Sequence, residues 1–223
     1  MKKGKLVKIL STGAILAIII INGTIVPVAA QGEVTVSINT PDKAKPGSDI
    51  AVTIDISHVE NFDATNYDVS FDNTVLRLDN VTDGKIGGTI IPVDIFNEIS
   101  PGRYRIVQNI SGLSGVTDAG YLATLHFHVM GSSGDSNYIR LSDGIIGNNQ
   151  AEKIPATWNE GFFTVVLPCD ANGDNEINIY DMTKVARIIL ELDDPTPGAD
   201  ANEDDIINIY DMTKIARVIL ELD

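Results

Sequence analysis

Apolar and polar residues alternate with period two along most of the chain between Gly32 and Leu167. Val34, Val36 and Ile38 alternate with polar neighbours; so do Ile50, Val52, Ile54 and Ile56, then Tyr67, Val69 and Phe71, then Ala123, Leu125, Phe127 and Val129. That period is the signature of strands that bury one face. Turn-forming stretches separate the runs: Lys45-Pro46-Gly47-Ser48, Asp83-Gly84, Ser100-Pro101-Gly102, Gly131-Ser132-Ser133-Gly134 and Asp143-Gly144. No helical periodicity intervenes, so the pattern predicts an antiparallel β-sandwich over 33–167.

The texture changes at Pro168. Asp170 to Asp193 and Asp200 to Asp223 are identical at 19 of 24 positions, 30 residues apart. A repeat this close is an internal duplication, joined by the turn-rich Asp194-Pro195-Thr196-Pro197-Gly198-Ala199. In each copy Met182, Val185, Ile189 and Leu192, or Met212, Ile215, Ile219 and Leu222, step by three and four. This predicts one amphipathic helix per repeat, the two stripes packing together as a small all-α domain over 168–223.

Each repeat opens with oxygen-bearing side chains at positions 1, 3, 5, 9 and 12 of a twelve-residue stretch. They are Asp170, Asn172, Asp174, Asn178 and Asp181 in the first copy, and Asp200, Asn202, Asp204, Asn208 and Asp211 in the second. With the main-chain carbonyl of position 7 (Glu176 or Ile206), that spacing wraps a hard divalent cation. Seven or so flexible oxygens suit Ca²⁺ better than Mg²⁺, and the absence of soft ligands disfavours zinc and copper. Two Ca²⁺ ions are therefore expected. Position 12 is Asp rather than the longer Glu. Position 6, normally Gly, is Asn175 or Asp205, which must take the left-handed conformation; the second loop is expected to be the weaker site. A second helical face carries Tyr180, Lys184, Arg187 and Glu191, and again Tyr210, Lys214, Arg217 and Glu221, beside Ile179 and Ile209. An aromatic among cations suits a recognition surface; the competing reading is a solvated face with Arg187 paired to Glu191.

Charge and the N-terminus set the compartment. Lys2, Lys3, Lys5 and Lys8, the apolar run Ile9–Ile21 and Val28-Ala29-Ala30 read as a signal peptide over 1–30, removed on export. Without those four lysines the chain keeps 12 basic side chains against 31 acidic ones. So acidic a protein is a poor partner for nucleic acid or an anionic membrane, and one cysteine, Cys169, excludes an internal disulfide framework.

Two tandem Asp-x-Asn-x-Asp…Asn-x-x-Asp loops, each followed by one helix and preceded by none, resemble a dockerin module over 168–223. The resemblance implies calcium-dependent docking into a cohesin. Partner choice would sit on Ile179, Tyr180, Ala186 and Arg187 and on Ile209, Tyr210, Ala216 and Arg217, where Ile-Tyr replaces the small hydroxyl pair of many family members. The β-region resembles a cohesin in three stretches: Val36-Ser37-Ile38 with Pro46-Gly47-Ser48 and Val52-Thr53-Ile54; Tyr67 to Leu76; and Gly120 to Phe127. The fold implied is mainly β, a jelly-roll sandwich of about nine strands followed by duplicated EF-hand-like loops. Ala64 and Asn66 stand where members often place Asn and Asp on the dockerin-facing strand.

The remaining constellations carry less. His126 and His128 share one strand face as a weak metal pair. Trp158 reads as core or rim, and Asp55, Asp68 and Asp79 read as solvated strand faces. No Ser/His/Asp order, phosphate loop or paired carboxylate stands in a catalytic setting, so the chain reads as non-catalytic. The function expected is a secreted adaptor of cellulosome-like, polysaccharide-related assemblies, binding a cohesin-bearing protein through its plug and a dockerin-bearing one through its sandwich, with head-to-tail self-association open. The alternative is a carbohydrate-binding or adhesion sandwich attached through a dockerin.

Overall fold

A computed structural model describes residues 32–112 and 114–222; the expected signal peptide lies outside them. The chain runs through β1 (Val34–Asn39), β2 (Lys43–Ala44), β3 (Asp49–Ser70), β4 (Leu76–Ile86), β5 (Thr89–Ile91), β6 (Val93–Ser100), β7 (Arg103–Asn109), β8 (Val116–Val129), β9 (Ser136–Asn148), β10 (Lys153–Ile154), β11 (Ala156–Asn159) and β12 (Gly161–Val165). Two helices follow, α1 (Ile179–Ile189) and α2 (Ile209–Ile219). Among the described residues the strands number twelve rather than about nine, because short edge pieces such as β2, β5 and β10 count separately.

β3 is the spine. Its first half pairs antiparallel with β1 and β8, and β8 continues to β4 and β5. Register shifts between Ile54 and Phe62 bend the strand, as β-bulges do. Its second half then pairs with β7 and β9, which extend to β6 and β12. One chain segment thus belongs to two facing layers, and the apolar alternation turns inward in both. Phe62, Tyr67, Phe127 and Phe163 are fully buried between them, each burial contributing roughly 1.5–3 kcal/mol. The Tyr67 hydroxyl donates to Gln108 Oε1 at 3.0 Å, and Gln108 Nε2 donates to the Leu122 carbonyl at 2.7 Å. This keeps both buried polar side chains satisfied, and burial pushes the Tyr67 phenol far up.

Two expected turns are strand interior. Gly84 lies within β4, at a position where a Cβ would stand 1.9 Å from the Leu122 carbonyl oxygen, so only glycine fits. Asp143-Gly144 is a bulge within β9: Asp143 has φ 53°, and a Cβ on Gly144 would strike the Trp158 ring at 2.2 Å. Trp158 accordingly packs against that backbone, half-buried, its ring centroid 5.7 Å from that of Tyr67.

In the C-terminal region, each helix starts where its loop ends. Asn178 and Asn208 cap the first turns, and Asp181 and Asp211 return a bond to the cap N–H, a reciprocal box. Both helices stop alike. Glu191 and Glu221 take φ 56° and 54°, and Leu192 and Leu222 donate back to the Arg187 and Arg217 carbonyls, a Schellman turn. That turn swings Leu192 and Leu222 off the expected stripe, and they are exposed together with Ile189 and Ile219. The buried stripe is instead Met182, Val185 and Ile188, facing Met212, Ile215 and Val218, with Cys169, Ala171, Ala199 and Ala201 beneath. Among the described residues no helix is long and apolar enough to cross a membrane.

Candidate functional sites

The two loops fold their acids inward. Asp170 Oδ1 accepts N–H bonds from Gly173 and Asp174 at 2.8 and 3.1 Å, and its Oδ2 accepts from Asn175 at 3.0 Å. Asp181 takes the Asn172 N–H on Oδ1 and the Asn178 N–H on Oδ2. The second loop repeats this with Asp200, which accepts from Asp204 and Asp205, and Asp211, which accepts from Asn202 and Asn208. Asn175 and Asp205 have φ 65° and 64°, the left-handed backbone expected at position 6.

Asp181 and Asp211 are fully buried, and Asp170 is 1% exposed. Among the described residues none of the three forms an ion pair with Lys or Arg. Buried carboxylates are ordinarily paired with a cation or bound to a metal. Burial, opposed by the loop N–H bonds and aided by the Asp181 charge, pushes the Asp170 carboxyl up. Asn172, Asp174, Asn202 and Asp204 are exposed at the loop rims, and Asn178 and Asn208 are half-buried. No trio of acidic, His or Cys side chains alone frames an ion among the described residues. The set is mixed, interleaving carboxylates with asparagine amides and the Glu176 or Ile206 carbonyl, and such an all-oxygen set fits calcium. In the second loop Asn208 Nδ2 donates to the Ile206 carbonyl at 3.0 Å, so that oxygen is already partly engaged.

The expected recognition residues lie outside the helix pair. Ile179 and Tyr180 are 60% and 69% exposed, Ile209 and Tyr210 60% and 70%. Along each helix the apolar edge continues through half-buried Ala186 or Ala216 to exposed Leu190 or Leu220. Those two leucines were missed, since each sits one residue past its helix in the cap. Arg187 pairs with Asp193 and not Glu191. Its guanidinium and Lys184 Nζ hold that carboxylate at 2.9 and 3.0 Å and pull it down to about 2. In the second copy Arg217 Nη2 donates to the Leu222 carbonyl, and half-buried Lys214 lies on the same side. Within α1 and α2 the only acids are the buried Asp181 and Asp211, so the exposed strips are apolar and cationic.

The outer face of the layer built from β6, β7, the second half of β3 and β9 forms the other site. Ile95, Val107, Asn66 and Ile145 stand side by side across four strands, and Ile95 and Ile145 are nearly half exposed. Ala64 is two residues back along β3, half-buried between Asn109 and Gly147. In the next rank lies Asp68, which is not solvated: it is fully buried beneath Arg103 and Arg105. Arg105 donates to both its oxygens at 2.6 and 3.0 Å. Arg103 donates twice to Oδ2 and also reaches Asp143 Oδ2 at 2.6 Å. Arg105 first, and Arg103 with it, hold the Asp68 carboxyl below its usual range against the opposing effect of burial. The period-two spacing of Arg103 and Arg105 was the available signal for this cluster.

His126 and His128 do point outward, but to separate partners. His126 Nε2 lies 3.2 Å from Thr82 Oγ1 and His128 Nδ1 2.7 Å from Asp49 Oδ1.

These features define a class: a two-layer sandwich with an open, partly apolar sheet face, followed by a duplicated loop–helix module. A cohesin-domain family model matches residues 34–165, and the chain belongs to the cohesin domain family. Among solved structures it resembles a non-cellulosomal cohesin from the archaeon Archaeoglobus fulgidus at 20% identity and TM-score 0.51, covering 60% of this chain and 92% of that one. It resembles the sixth cohesin of Acetivibrio cellulolyticus scaffoldin B, solved with a Cel5 dockerin, at 18% and 0.52, covering 60% and 99%. A cohesin module of a Clostridium perfringens family 33 glycoside hydrolase gives 15% and 0.53, covering 60% and 96%. No curated protein matches.

Proposed function

We propose that this chain is a secreted, non-catalytic adaptor whose sandwich receives a dockerin-bearing protein and whose C-terminal module is a dockerin that plugs into a cohesin-bearing protein. Cohesin domains are interaction modules, and a match over 34–165 supports the receiving half. The rank of exposed Ile95 and Ile145 and half-buried Val107 around Asn66 offers the apolar centre such a contact needs, with the Arg103–Asp68–Arg105 cluster as its polar border.

The observation that carries the plug is the pair of fully buried carboxylates, Asp181 and Asp211, neither of which forms an ion pair with Lys or Arg among the described residues. Asp170, Asn172, Asp174, Asn178, Asp181 and the Glu176 carbonyl would hold one Ca²⁺. Asp200, Asn202, Asp204, Asn208, Asp211 and the Ile206 carbonyl would hold the other. Bound calcium supplies positive charge and oxygen-ligand bonds, and because the sites exist only in the folded loops its binding energy is folding energy. The chain's own residues do the rest. The loop N–H groups aim the position 1 and 12 carboxylates, the capping boxes tie those loops to α1 and α2, and the helices present Ile179, Tyr180, Leu190 and their counterparts.

Calcium titration of the full chain tests the reading, together with helix content by circular dichroism. Heat of binding should appear, and helix signal should fall in chelator; Asp170→Ala with Asp200→Ala should abolish both and the capture of a cohesin-bearing protein. Equal helix content in calcium and chelator would sink it. Plug-to-sandwich contact between copies would be heterologous and grow chains, which light scattering with and without calcium would detect.

A further inference from the structure

We infer that the first calcium loop is also a clasp that fixes the C-terminal module to the sandwich, so that filling or emptying this loop locks or frees the angle between them. The inference rests on the calcium reading above and adds a mechanical role to it.

The contact is made by Ser133, in the turn between β8 and β9. Its Oγ accepts the Leu167 N–H at 3.2 Å, at the end of the sandwich, and its own N–H donates to Asn175 Oδ1 at 3.1 Å, in the loop. Asn175 is position 6, and its N–H is bonded to Oδ2 of Asp170, the position 1 ligand. A single residue therefore connects the sandwich turn to a calcium carboxylate. The far side of the loop is tied as well: Thr196 Oγ1 donates to the Ala171 carbonyl at 2.7 Å, and Cys169 N–H to the Gly198 carbonyl at 3.1 Å. Ser133 and Gly134 face Asp170, Asn172 and Thr196 across a cleft of about 300 Å³.

The second loop provides the internal control. Its sequence matches at nine of twelve positions, yet Asp200 is only half-buried where Asp170 is 1% exposed. Asp205, the counterpart of Asn175, makes no hydrogen bond to the sandwich among the described residues. The first loop differs from the second both in carrying Asn at position 6 and in what packs on it. Neighbouring domains joined by a short segment move relative to one another unless an interface holds them. Here the interface includes the ion loop itself. When calcium leaves, the acids repel, the loop loses its template and Asn175 loses its fixed position. With calcium bound, both exposed strips, on α1 and α2, stay clear of the sandwich and are presented at a set angle.

Backbone ¹⁵N relaxation of the full chain in saturating calcium tests this, with a calcium titration run in parallel. The wild type should tumble as one body. Ser133→Ala with Asn175→Gly removes both side-chain acceptors while Gly suits φ 65°, so calcium heat should persist while the module acquires a shorter correlation time than the sandwich. Independent tumbling of the calcium-loaded wild type, or common tumbling of the double variant, would overturn the clasp and leave the calcium reading intact. Absence of calcium heat in the wild type would remove both.

Discussion

Asp68 gives the most direct test of the energetics on the sandwich face. Asp68→Asn keeps the shape and one acceptor oxygen but removes the charge that two guanidinium groups enclose. The carboxylate has no exposed surface, whereas the Arg103 and Arg105 side chains keep 39% and 44% of theirs. Breaking a fully buried ion pair costs about 3–5 kcal/mol. Here both arginines can rehydrate where they stand, which reduces the loss to roughly 2–3 kcal/mol. With a urea slope of about 1.5 kcal/mol/M, the unfolding midpoint of the sandwich should fall by about 1.5 M.

Near-UV signal from Trp158 against urea measures this apart from the helices. A companion variant tests the cause: Asp68→Leu with Arg103→Met and Arg105→Met should recover most of the loss, since apolar replacement of a buried triad is close to neutral. A midpoint for Asp68→Asn within about 0.3 M of wild type would refute the reasoning, and would mean that the cluster neither stabilises the sheet nor fixes its two arginines.

Other expectations follow from local geometry. Gly144→Ala drives a Cβ into the Trp158 ring; a cost of about 2–3 kcal/mol should appear as a lowered Tm, and an unchanged Tm would contradict the packing of β9 on Trp158. Glu191→Gly and Glu221→Gly relieve left-handed residues at both helix ends, so each should stabilise the C-terminal helix pair by about 1 kcal/mol, read from the thermal melt at 222 nm. The Asp193 carboxyl is depressed to about 2 by Arg187 and Lys184. A depressed acid stabilises fully above its unfolded value of about 3.9 and loses that contribution as pH falls through its folded value. The Arg187–Asp193 staple should therefore survive to pH 3, and a carboxyl-carbon titration of Asp193 centred near 4 would show that it does not form.

The parts of the fold legible in the sequence were those set by one periodicity in one element. Val52, Ile54 and Ile56 alternate inward because a pleated strand leaves them no other choice, and the Asn178–Asp181 box starts α1 at the loop's end. What escaped depended on a second element approaching. Gly84 and Gly144 looked like turns because Gly follows Asp, yet each is Gly because the Leu122 carbonyl or the Trp158 ring comes too close for a Cβ. Asp68 looked solvated on the outward phase of β3, but its burial comes from Arg103 and Arg105, some 35 residues further on. Leu192 belonged to the helical period but not to the helix, since Glu191 turns the chain first. The loops escaped this limit because their chemistry is local. All the proposed ligands of one ion lie within twelve residues, and a duplication states the spacing twice. The joint between modules is the opposite case: Ser133 and Asn175 are 42 residues apart, with nothing in either neighbourhood to announce the other. Sequence could propose what each half does, but only the fold brings forward a reason for the halves to act as one piece.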